Sequence, residues 1–129
     1  MANTTSQIRI LVCRTCPRYE PLPVAGAPTR GRDLGHRLAR ALVSRDDGDR
    51  YVLRIVSCLA GCKNPCNMAI DGAGRYRLRF SHLEPDAVPD ILALAEIFAA
   101  STTGDLAAGD LPDRLKDRLT AKTPPRLGD

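Results

Sequence analysis

The sequence contains no tryptophan, and its aromatic side chains, Tyr19, Tyr51, Tyr76, Phe80 and Phe98, make up only 4% of the chain. That leaves few platforms on which nucleic-acid bases could stack. Lysine is scarcer still: of nineteen Lys and Arg residues only Lys63, Lys116 and Lys122 are lysine. The net charge of +4 is small and spread out, with no lysine-rich block and no basic stretch interleaved with aromatics. A nucleic-acid partner is therefore not expected. No run approaches the ~18–20 apolar residues of a membrane-spanning helix. The opening Met-Ala-Asn-Thr-Thr-Ser-Gln has no charged segment followed by an apolar stretch, so no signal peptide is expected and the cytoplasm is the default location.

Catalytic signatures are missing as well. There is no glycine-rich phosphate loop, nucleophile elbow or paired-carboxylate motif. His36 and His82 share no metal spacing with another ligand, and both are expected at the surface or capping an element. Asp46, Asp47 and Asp49 crowd Gly48 too closely for a calcium loop, which needs more widely spaced oxygens. An enzyme is therefore not expected from these residues.

The composition is that of a globular protein: 129 residues, 43% hydrophobic and 26% charged, enough for one core. Residues 7–13, Gln-Ile-Arg-Ile-Leu-Val-Cys, predict a buried strand ending at Cys13. A proline-rich loop from Pro17 to Pro28 follows. Leu34, Leu38 and Leu42, with Ala41, predict an amphipathic helix over 30–44, its other positions carrying Arg30, Arg37, Arg40 and Arg45. Residues 51–57 predict a second strand running into Cys58. A third starts at Met68 and turns through Asp71-Gly72-Ala73-Gly74 into a fourth. There Tyr76, Leu78 and Phe80 alternate with Arg75, Arg77 and Arg79, one face inward and one basic. Glu84-Pro85-Asp86 opens a second helix, with Val88, Ile91, Leu92, Ala95 and Phe98 on one side. Leu111, Leu115 and Leu119 predict a short last helix.

The expected fold class is thus α/β: a thioredoxin-like βαβββα sheet with helices packed on it and a short C-terminal helical tail. The expected division is residues 6–103 for the domain and 104–129 for the tail. The first βαβ unit should be parallel and the later strand pair a hairpin.

Against this background five cysteines stand out, in two tight groups: Cys13 and Cys16, then Cys58, Cys62 and Cys66. An odd number without an export signal argues against a disulfide framework. Thiolates are soft ligands for zinc, copper(I) and iron–sulfur units, and four complete either a zinc tetrahedron or a [2Fe–2S] cluster. Both groups follow predicted strands, and parallel neighbours bring their carboxyl ends to one edge of the sheet. In the loop Cys58-Leu-Ala-Gly-Cys-Lys-Asn-Pro-Cys66, Gly61, Asn64 and Pro65 break helix and leave amides able to face sulfur. With four ligands sufficient, one cysteine is spare, and Cys66 is the first choice for it.

Cys58-Leu59-Ala60-Gly61-Cys62, with Pro65 and an apolar run after it, resembles the second ligand segment of thioredoxin-like [2Fe–2S] ferredoxins. Cys13 at the end of the opening strand fits the same pattern. Over about residues 8–126 the chain resembles more closely an uncharacterised bacterial family of predicted metal-binding proteins. Its members share an opening Val-Cys-x-x-Cys, a Cys-Leu-x-x-Cys loop and a tail containing arginine and proline, and they often lie near cobalamin-synthesis genes. These resemblances imply a thioredoxin-like fold and a [2Fe–2S] cluster on Cys13, Cys16, Cys58 and Cys62. The ferredoxins separate their first two ligands by more than two residues, so Cys66 in place of Cys16 stays open.

The leading expectation is electron transfer or redox sensing with an unidentified redox partner protein, a homodimer being an open option. Zinc binding or metal delivery is the alternative. A thiol–disulfide enzyme using Cys13-Arg-Thr-Cys16 is disfavoured, because Pro17, Pro21 and Pro23 leave no room for the helix N-terminus that activates such a thiol.

Overall fold

A computed structural model describes residues 8–13, 30–44, 50–56 and 67–125 of the chain. Five strands form one sheet: β1 (Ile8–Cys13), β2 (Tyr51–Val56), β3 (Met68–Gly72), β4 (Arg77–Phe80) and β5 (Leu119–Thr123), in the order β2-β1-β3-β4-β5. Two helices accompany them, α1 (Arg30–Val43) and α2 (Val88–Ala100). β1 and β2 are parallel, joined through α1, and every other pairing is antiparallel. The α/β class, the parallel βαβ unit and the β3–β4 hairpin all follow the expectation from sequence.

Strand alternation divides the sheet into two unlike faces. Ile8, Ile10 and Val12 of β1 share register with Tyr51, Leu53 and Ile55 of β2. Across β3 and β4 the same face continues through Met68, Ile70, Leu78 and Phe80. This is the face that α1 covers. Leu34, Leu38 and Leu42 are buried at four-residue spacing while His36, Arg37 and Arg40 are exposed. A Cβ on Gly35 would stand 2.8 Å from Ile55 Cδ1, so α1 approaches the parallel pair as closely as a helix without a side chain there permits. α2 touches α1 and buries Ile91, Leu94, Ala95, Phe98 and Ala99. That stripe differs from the expected one, in which Val88 and Leu92 took the place of Leu94 and Ala99. The helix is apolar nearly all round, so its sequence alone does not select the face that packs.

The tail departs from expectation. Its described part, residues 104–125, forms no α-helix: two one-turn 3-10 segments, Ala108–Asp110 and Asp113–Leu115, lead into β5, which pairs antiparallel with β4. Pro112 is extended (φ −55°, ψ 144°) and interrupts any helix through the leucines. Leu111 and Leu115 still enter the core. The chain beyond them covers the edge of β4, whose N–H and C=O groups would otherwise lack strand partners.

Arg75 and Arg77, expected on a solvated basic face, have structural partners. Arg75 lies over the Phe98 ring at 5.9 Å, and its Nε donates to the Ser101 carbonyl at 3.0 Å, satisfying the end of α2. Arg77 stands 3.8 Å from Asp71, which Arg9 already grips with Nε and a terminal nitrogen at 2.8 Å each. This bidentate bond to Asp71 raises the Arg9 pKa further above its ordinary value.

Candidate metal centre

The centre is anchored where three strands meet. β1 ends at Cys13, whose side chain is fully buried. Cys13 stands in parallel register with Val56, the last residue of β2. Its N–H donates to the carbonyl of Asn67, one residue before β3, at 3.1 Å. The carboxyl ends of β1 and β2 and the start of β3 therefore lie together, as the parallel βαβ reading required.

Of the five candidate ligands, Cys13 is the one within the described residues. Cys16, Cys58, Cys62 and Cys66 lie outside them, as do Lys63 and the loop residues Gly61, Asn64 and Pro65. Connectivity nevertheless bounds their reach. Consecutive Cα atoms are ~3.8 Å apart, so Cys66 is one such step from Asn67, Cys58 two from Val56 and Cys16 three from Cys13. Segment 57–66 leaves and re-enters the sheet on the two sides of Cys13.

Among the described residues, the soft donor at this end is the Cys13 thiol. The nearest carboxylate on β3, Asp71, lies further along the same face and is held by Arg9. Among the described residues no three His, Cys, Asp or Glu side chains form a metal-binding group. His82 is exposed and adopts φ 62°, and His36 is exposed on α1. A soft metal or an iron–sulfur unit fits such a donor set; calcium or magnesium does not.

Two residues here escaped the sequence reading. Asn67 and Ser81 are buried, and the Ser81 hydroxyl donates to Asn67 Oδ1 at 2.7 Å. The hairpin register, centred on Gly74, sets them opposite one another, but a turn counted around Gly72–Gly74 would have paired Asn67 elsewhere, and neither residue type draws attention by itself.

A family model described as a protein of unknown function, DUF1636, matches residues 10–125. The chain belongs to that family. No curated protein matches. Among solved structures, a thioredoxin-like [2Fe–2S] ferredoxin from Aquifex aeolicus superposes with a TM-score of 0.59 at 12% identity, covering 94% of this chain and 97% of that one. At that identity the likeness establishes the fold: this DUF1636 member has the thioredoxin-like ferredoxin architecture. Among the described residues no helix is long and apolar enough to cross a membrane.

Proposed function

We propose that this DUF1636 protein carries a [2Fe–2S] cluster on cysteine thiolates and works as an electron carrier or redox sensor, not as an enzyme. One observation supports the reading above all: the parallel register of β1 and β2 puts Cys13 between the two ends of the segment that holds Cys58, Cys62 and Cys66. Cys13, Cys16, Cys58 and Cys62 are the proposed ligands, with Cys66 the alternative to Cys16. When bound, the cluster would supply one-electron chemistry. The chain's own part is to hold Cys13 dry and fixed at that end of the sheet. All-cysteine ligation favours a low potential, histidine ligation being what raises it in Rieske centres. A cytoplasmic redox partner protein completes the proposal, with no nucleic acid and no membrane involved.

The dithiol-enzyme alternative finds little support in the fold. Cys13 is a buried strand residue, and Pro17, Pro21 and Pro23 follow Cys16 at once in sequence. The test is an anaerobic absorption spectrum with iron, sulfide and zinc assayed on the same sample. Visible bands with about two irons and two sulfides per chain are expected. One zinc in a colourless protein would replace the cluster by a structural or delivery site.

A further inference from the structure

Four residues form a row across the cysteine end of the sheet: Val56, Cys13, Asn67 and Ser81. Cys13 pairs with Val56 directly, and Asn67 and Ser81 extend by one residue the registers Val12↔Met68 and Met68↔Phe80. By alternation all four belong to the face turned away from α1. Asn67, Ser81 and Asp71 are the buried polar or charged residues among those described. Asp71 is explained by its bidentate arginine. Asn67 and Ser81 form a neutral pair, in a position that two β-branched apolar residues would fill without the desolvation cost of an amide and a hydroxyl.

Asn67 accepts from both sides, from Ser81 through its side chain and from Cys13 through its backbone carbonyl. The Ser81 N–H donates to the Arg118 carbonyl at 3.0 Å, which ties Ser81 to the turn before β5. The Ser81 hydroxyl donates to Asn67 Oδ1 at 2.7 Å. The Asn67 carbonyl then accepts the Cys13 N–H at 3.1 Å. The chain thus links the turn before β5 to the cysteine motif at two points: Asn67 follows Cys66 in sequence, and Cys13 is itself a candidate ligand.

We propose that Asn67 and Ser81 are positioning residues of the cysteine centre, holding Cys13 at a set distance from the point where the second cysteine segment re-enters the sheet. The proposal rests on the metal-thiolate reading above and deepens it. The pair acts through the backbone of Cys13 and sets the geometry in which a thiolate there can meet the others.

The experiment compares Ser81→Ala, Asn67→Ser and Ser81→Thr with Ile8→Val, a buried change at the opposite end of β1. Two quantities are measured on the full chain. The first is the rate at which iodoacetamide alkylates Cys13 in reduced, metal-free protein, read by peptide mass. The second is the visible circular dichroism and electron paramagnetic resonance of protein reconstituted with iron and sulfide. Ser81→Ala and Asn67→Ser should speed Cys13 alkylation by about tenfold, the change in opening that one buried hydrogen bond controls. They should also shift the spectra, while Ser81→Thr, which keeps the hydroxyl, and Ile8→Val match the unmodified protein. Should Ser81→Ala not fold, Asn67→Ser carries the same expectation. Alkylation and spectra no different from Ile8→Val would overturn the proposal, and so would a Thr variant that behaves like Ala. If the unmodified protein takes up no metal, the functional reading fails by itself, and the alkylation rates still decide what Asn67 and Ser81 do.

Discussion

The two faces of the sheet follow different rules. Beneath α1 and α2 the face is apolar across β1 to β4, from Ile8 and Tyr51 to Val12, Met68 and Phe80. A charged side chain, Lys122, enters it on the edge strand β5, in register with Leu78. The opposite face changes along its strands. At the cysteine end Cys13, Asn67 and Ser81 are buried; at the other end Arg9, Asp71 and Arg77 make a half-exposed ion cluster. Between them Leu11 and Ala69 are buried with the exposed Arg54 on one side and the half-buried Arg79 on the other. One face is thus committed to stability, and the other is graded from a buried polar site to a charged surface.

The sharpest way to break this contrast is in the helix-covered face. Phe80→Ala should cost about 3–5 kcal/mol in urea unfolding, since Phe80 is fully buried in the core. If the faces are independent, the metal content of the folded fraction stays unchanged. Next in size is Gly104→Ala, which removes a residue at φ 71° whose Cβ would stand 2.8 Å from the Phe98 ring and 3.0 Å from Arg75 Cβ. About 1–3 kcal/mol of destabilisation is expected, again by urea unfolding.

Asp71→Asn probes the charged end of the other face. It leaves Arg9 and Arg77 facing a neutral amide, and about 1 kcal/mol is the expected loss at low salt. Because both arginines are partly exposed, the loss should shrink when the unfolding is repeated at high salt. A loss that persists there would mean the cluster is packed as firmly as the core.

The smallest effect concerns the surface. The Lys116 ammonium, hydrogen-bonded to the Asp113 carboxylate, holds that carboxyl below its ordinary range. A depressed folded pKa stabilises above the unfolded value, near ~3.9, and that contribution is lost as the pH falls through the folded pKa. Lys116→Gln should therefore return the Asp113 titration, followed by nuclear magnetic resonance, toward the usual carboxylate range. The stability difference between the two proteins should vanish in acid.

Much of this architecture can be read locally. The leucines of α1, the period-two run ending at Phe80 and the β-branched stretch of β1 each carry their own periodicity, and each appears where that periodicity puts it. The packed stripe of α2 was not legible, because a helix apolar on all sides has no intrinsic inner face. Nor was β5: the four-residue leucine spacing imitates a helix, and it takes the extended Pro112 and the open edge of β4 to draw the chain into a strand. The candidate site was legible as a proposal, since cysteines in two tight groups point to thiolate ligation. Its supporting residues were not, because asparagine and serine are common in turns and nothing in their neighbourhood marks them as buried.

By itself, then, the sequence determined the α/β pattern and the parallel first unit, and it raised the proposal of a soft-ligand centre, all of which follow from short-range periodicity and residue type. Only the tertiary structure decided that Asn67 and Ser81 stand in the same row as Cys13, that Arg75 closes the end of α2 over Phe98, and that the tail completes the sheet. The reason is that strand register and edge pairing join residues distant along the chain, and a residue's partner across a sheet leaves no mark in its own sequence neighbourhood.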